Sequence, residues 1–204
     1  MGDPRELHLT SPLAYCDSAL EVLIATILTQ ATADKNALIA WRSFKKAFPE
    51  PGLALEAPGE FLFNTIQVAG LGVQKMMTIR NVLSLVKEIL GEYSIDGLQN
   101  NPDMAWEFLN SLPGIGPKTT ACTMLFGLGA PSFPIDVHIQ RILKRWGWAA
   151  DKEELATLQQ RLAKEIPAEL HKDLHILLLN LGRQYCRPGK PSCHKCPLQE
   201  ICKN

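Results

Sequence analysis

Four of the six cysteines in this 204-residue chain fall within its last 19 residues, spaced Cys186-x6-Cys193-x2-Cys196-x5-Cys202. In a reducing compartment so tight a group points to a metal centre rather than to disulfides. It also dictates shape, because four thiolates can converge only if the chain closes a compact loop directly behind a helix. Four soft ligands suit a tetrahedral zinc ion or a [4Fe–4S] cluster, and spacing alone does not choose between them. Cys16 and Cys122 stand apart from the group. Around the ligands, Arg183, Arg187, Lys190, Lys195 and Lys203 are set against one acid, Glu200. The whole chain is neutral, with 21 basic and 21 acidic residues, so any affinity for a polyanion has to come from such local clustering. A metal-pinned loop would hold Arg187, Lys190 and Lys195 rigid enough to meet phosphates.

The rest of the chain reads as nearly all helix. Hydrophobic residues make up 46% of the sequence, enough to bury a core. No apolar run is long enough to span a membrane, and the N-terminus lacks a secretory pattern, so the expectation is a soluble, cytoplasmic protein with no membrane partner. Ser18-Ala-Leu-Glu21 fits a capping box ahead of Leu20, Leu23, Ile24, Ile27 and Leu28 at helical spacing. Further helices are expected from about Ala33 to Phe48, over 57–69, and from Lys75 to Leu90, with Gly70-Leu71-Gly72 as the break. Asp103 is a candidate cap for a short helix ending near Leu112. Pro117 fits the first position of the next helix, which Gly127 and Gly129 close. Ile135, Ile139, Ile142, Leu143 and Trp146 stripe another, and Leu170, Leu174, Leu177, Leu178 and Leu181 the last. No segment alternates convincingly enough for a strand.

Between two of these helices lies Leu112-Pro-Gly-Ile-Gly-Pro-Lys-Thr-Thr120. Glycines at 114 and 116 permit a tight hairpin with uncovered amides, and the following helix points its N-terminus the same way. That makes a phosphate site blind to base identity, although an ordinary interhelical turn needs the same glycines. Lys118 falls in the first turn of that helix, where the dipole opposes a cation, and a neutral amine is a nucleophile towards an electrophilic carbon. Asp136, in Pro134-Ile-Asp-Val-His138, begins the Ile135–Trp146 helix and is a good N-cap; a carboxylate held there could also face a developing cation. His138 reads as a packed helix histidine. Arg141, Lys144 and Arg145 read as a solvated face or a phosphate contact.

These features, in this order, resemble the endonuclease III family of the helix-hairpin-helix DNA glycosylase superfamily. The family hairpin Leu-Pro-Gly-Val-Gly-x-Lys-Thr-Ala is matched by residues 112–120, its Val-Asp-Thr-His by residues 135–138, and its cysteine spacing without a gap. Gly70-Leu-Gly-Val-Gln-Lys75 resembles its Gly-Leu-Tyr-x-x-Lys turn, and Ile27-Leu-Thr-Gln-Ala-Thr32 its Gln-Ala-Thr segment. Thr120 and Val137 stand where the family has alanine and threonine.

The resemblance implies an all-α, two-lobed fold. A helical barrel would span 19–129, with the hairpin motif at about 103–128. Residues 1–18 and 130–204 would form a second lobe carrying a [4Fe–4S] cluster on Cys186, Cys193, Cys196 and Cys202. It implies a monomeric base-excision enzyme acting on damaged double-stranded DNA, a glycosylase with abasic-site lyase activity, most naturally on oxidised pyrimidines. Lys118 would be the nucleophile and Asp136 its carboxylate partner, facing each other in the cleft where the DNA lies. Leu112, Gly114, Ile115, Gly116 and Thr119 would form the DNA-binding hairpin, and Gln30 and Leu71 would enter the duplex as the damaged nucleotide leaves it. A monofunctional glycosylase for mismatched or alkylated bases, a non-catalytic DNA-binding paralogue, and a zinc-stabilised interaction protein remain open alternatives.

Overall fold

The computed structural model describes residues 3–202; Lys203 lies outside that range. In chain order the α-helices are α1 (Pro4–His8), α2 (Ala19–Thr29), α3 (Asp34–Ala47), α4 (Leu53–Glu56), α5 (Gly59–Ile66), α6 (Gly72–Leu90), α7 (Pro102–Ser111), α8 (Pro117–Cys122), α9 (Val137–Arg145), α10 (Leu155–Glu165) and α11 (His171–Gln184). Among the described residues there is no strand.

The helices begin and end for local reasons. Ser18 Oγ accepts from the Glu21 amide, closing half of a capping box, but Glu21 reaches back to the Asp17 amide rather than to that of Ser18. The cap of α7 is Asn101, whose side chain accepts from the Met104 amide, and Pro102 supplies the first helical residue. Asp103, the expected cap, therefore lies inside the first turn, where its charge suits the helix dipole. Between α5 and α6 the backbone turns left-handed at Gly70 (φ 68°) and Leu71 (φ 50°), which places the helix start at Gly72, ahead of the expected Lys75. Helix α8 widens without a break into a π-turn over Thr123–Gly127. Helices α1, α4 and α10 go beyond the elements expected from sequence. The pattern of α10 is weak because only Leu158 and Leu162, with Gln159, are buried on it.

The described chain divides into two compact units, residues 9–130 and residues 3–8 with 131–202. In the larger, α2 is the central helix, with Ala19 through Leu28 all buried. Trp41, Phe44 and Phe48 of the α3 region, Leu62 and Ile66 of α5, and Ile79, Val82, Leu83 and Val86 of α6 complete its core. Residues 9–18 belong to this unit, so the chain enters it about ten residues before the expected boundary. The Tyr15 carbonyl accepts from Trp41 Nε1, and Leu13 and Cys16 pack on the core. In the smaller unit Phe133, Ile135, Ile139, Ile142, Leu143, Leu158, Leu162, Leu178 and Leu181 form a separate core. There α9 and α11 approach so closely that a Cβ on Gly182 would lie 2.7 Å from His138 Cβ.

Candidate functional site

In the larger unit the hairpin is a backbone feature resting on buried side chains. Leu112, Ile115 and Thr119 are 2%, 7% and 3% exposed, so they hold the turn from beneath instead of presenting side chains to a ligand. Gly114 takes φ +80°, a conformation that favours glycine, and a Cβ there would press on Thr78 Oγ1 at 2.9 Å. Gly116 is extended and open: nothing lies within 4 Å of an added Cβ. The Ile115 amide donates to the Leu112 carbonyl, closing the turn, whereas the amides of Gly114 and Gly116 have no partner among the described residues. Lys118 follows in the first turn of α8, half-buried, and its amine makes no hydrogen bond or ion pair to any described residue.

Two further expected residues lie near the hairpin. The Gln30 amide nitrogen donates to Thr119 Oγ1 at 3.2 Å, which links the end of α2 to the residue beside Lys118. Leu71, 57% exposed, lines an apolar hollow of about 620 Å³ together with Phe63, Val73, Met77, Pro113 and Gly114.

In the smaller unit Asp136 is half-buried, and its Oδ1 accepts from the amides of His138 and Ile139, as an N-cap should. The approach to it is fixed on both sides. The Ile135 amide donates to Gln159 Oε1 of α10, and His175 Nδ1 of α11 donates to the Pro134 carbonyl. Along α9, Arg141 bonds the carbonyls of Gly182 and Cys186 and lies 3.1 Å from His138 Nδ1. Arg145 Nη1 donates to Cys186 Sγ and to the Arg187 carbonyl, and Lys144 to the Asp151 carbonyl. These bases are thus not a free solvated face: they fasten α9 to the cysteine loop and to the turn after the helix.

Cys186, Cys193, Cys196 and Cys202 line one cavity of about 250 Å³ with Arg145, Trp146, Leu181, Tyr185 and Leu198. No disulfide joins them. No three His, Cys, Asp or Glu side chains among the described residues converge closely enough to hold a single metal ion. Arg187, Lys190 and Lys195 are exposed around this loop.

A glycine hairpin opening a helix that carries a lysine, with a capping aspartate and a four-cysteine loop further on, on an all-helical frame, defines a DNA-repair class of protein. The family model described as HhH-GPD superfamily base excision DNA repair protein matches residues 24–168. The chain belongs to that superfamily, and within it to the endonuclease III family. It is 32% identical over 183 residues to endonuclease III of Sulfolobus acidocaldarius, covering 89% of this chain and 80% of that one. Among solved structures it resembles a trapped endonuclease III–DNA covalent intermediate (TM-score 0.78, 25% identity, 98% and 92% of the two chains). The fold is shared with a thermostable thymine-DNA glycosylase (TM-score 0.80, 20% identity, 95% and 87% of the two chains). No helix among the described residues is long and apolar enough to cross a membrane.

Proposed function

We propose that this protein is a bifunctional DNA glycosylase and abasic-site lyase that excises oxidised pyrimidines from duplex DNA as a monomer. The observation that carries the reading is Lys118, a half-buried amine with no partner among the described residues, one residue into a helix that begins at an open glycine hairpin. The exposed backbone at Gly114 and Gly116 would hold a phosphate whatever the base, and so bring a backbone segment to that amine. With the damaged nucleotide extruded, Gln30 and Leu71 would occupy the space it leaves in the duplex. Lys118 Nζ attacks C1′ of the sugar, the glycosidic bond breaks, and the base leaves with the electron pair and gains a proton. The Asp136 carboxylate stabilises positive character on the sugar. The C1′–O4′ bond then opens, O4′ taking up a proton as Nζ and C1′ form an iminium, which acidifies C2′; loss of the C2′ proton expels the 3′ phosphate, cutting the strand.

The four cysteines would hold a [4Fe–4S] cluster. Two features support that choice over zinc. The chain belongs to the endonuclease III family, whose cysteine spacing it matches, and the four thiols line one cavity, where a cluster would give each cysteine its own iron. When bound, the cluster supplies a structural clamp for residues 186–202, which keeps Arg187, Lys190 and Lys195 in place for phosphates.

The test is incubation with duplex DNA containing one abasic site in the presence of borohydride. A covalent adduct is expected with the wild type and none with Lys118→Gln. An adduct of equal yield in the variant would show that another amine does the work.

A further inference from the structure

Lys75 has no part in the chemistry above, yet it is the buried lysine among the described residues, 2% exposed in the first turn of α6. It has no carboxylate partner. Its three ammonium protons go to three uncharged oxygens: the Leu28 carbonyl at 2.9 Å, Thr32 Oγ1 at 2.5 Å and the Ala69 carbonyl at 2.8 Å. Leu28 and Thr32 flank Gln30, and Ala69 stands two residues before Leu71. Thr32 Oγ1 also bonds the Ala69 carbonyl directly and lies 2.9 Å from the Gln30 carbonyl. Only two non-glycine residues in the described chain have positive φ, Ala31 at 49° and Leu71 at 50°. One lies in each of the two segments that Lys75 joins. Left-handed backbone at such residues persists only where the surroundings hold it.

We propose that Lys75 is a positioning residue that locks segments 30–32 and 69–71 into one arrangement, so that Gln30 and Leu71 are presented to the duplex as a pair. This rests on the reading of those two residues as the ones that enter DNA. The ammonium can donate to all three oxygens while the Thr32 hydroxyl still donates to a backbone carbonyl; a neutral amine has two protons, so either one oxygen loses its donor or the Thr32 hydroxyl turns towards Nζ and gives up its carbonyl. Burial pushes Lys75 down to about 8, and burial is the only cause of the shift. Residues 27–33 and 66–74, which supply its oxygens, contain no titratable side chain, and neither Asp34 nor Lys35 at the start of α3 contributes. As pH rises through about 8 the lock loses a donor. Over the same range the contribution of Lys75 to global stability rises, since the unfolded chain then binds the extra proton. The two effects run in opposite directions, which a merely structural lysine would not produce.

The test uses the full chain and two variants, Lys75→Met and Thr32→Val, the second removing only the bridging hydroxyl in case the first does not fold. One substrate is a duplex with an oxidised pyrimidine, 2-aminopurine beside it reporting unstacking; the other carries the same lesion in an unpaired bubble. Both variants should lose most of the fluorescence rise on binding the duplex. Their turnover of the paired lesion should fall about tenfold or more relative to the unpaired one, the size of effect expected from misplacing a positioning group. In the wild type the paired-to-unpaired ratio should drop through about pH 8, and in Lys75→Met that step should vanish. Wild-type fluorescence in a folded variant, or equal losses on both substrates, overturns the lock. Absence of turnover and of borohydride trapping in the wild type would instead sink the enzymatic reading, and the fluorescence would still judge the lock.

Discussion

At the scale of single residues, Lys118 and Asp136 differ in how tightly structure already uses them. Lys118 makes no bond that folding needs, so Lys118→Gln should leave the melting temperature within about 2 °C, the span of a surface change below about 0.5 kcal/mol. Strand cleavage should be lost while DNA affinity is largely kept. Asp136 caps α9 and, in the proposed mechanism, also serves base release. Asp136→Asn keeps Oδ1 for the His138 and Ile139 amides and removes only the charge, so base release should fall strongly with little loss of stability. Asp136→Ala removes the cap too and should cost about 1 kcal/mol in chemical denaturation. If Asp136→Asn were as unstable as Asp136→Ala, with base release falling only in proportion, capping would be the whole role of the residue.

At the scale of elements, the two hairpin glycines should separate folding from binding. An alanine at Gly116 meets open space in extended backbone, so Gly116→Ala should melt like wild type and weaken binding to damaged and undamaged duplex alike. Gly114→Ala imposes left-handed backbone on a residue with a Cβ and crowds Thr78, which should cost about 1–2 kcal/mol in stability. A loss at Gly116 confined to one lesion type would contradict the phosphate role. Gly182→Ala should be the more damaging substitution in the smaller unit. Its methyl would collide with His138 Cβ, where backbone as well as side chain must move, at about 1–3 kcal/mol. Thermal melts of these variants, with filter binding for the two in the hairpin, are sufficient.

At the scale of the whole molecule, neutrality and the two separate cores shape what can be measured. Purified under anaerobic conditions, the protein should be brown and hold about four irons per chain. Removing the iron should raise hydrogen exchange across residues 186–202 while α2 keeps its protection, because α2 lies in the core of the other unit. Exchange that rises equally in α2 would mean one cooperative molecule. With zero formal net charge, DNA affinity must depend on a few placed cations, and Lys195→Ala should lower the slope of log affinity against log salt by about one unit. An unchanged slope would remove the cysteine loop from the interface.

What the sequence by itself determined is what short-range chemistry controls. Pro117 after two glycines makes a turn and starts a helix wherever it stands, Asp136 caps its own helix, and four closely spaced cysteines must share one loop. Helix ends were legible for the same reason, and erred where two capping residues competed, as Asn101 did with Asp103. The tertiary structure decided the fate of the long, charged side chains. Lys75 finds its oxygens up to 47 residues away, and Arg141 and Arg145 theirs more than 40 residues along the chain, at the cysteine loop. Nothing in the local pattern of α6 or α9 distinguishes these bases from solvated ones, because a lysine's or arginine's partner depends on which segments packing brings within reach of its tip. The same holds for Leu112, Ile115 and Thr119. Their motif marks them as part of the hairpin, and only packing reveals that they lie beneath it, holding in shape the backbone proposed to meet the phosphates.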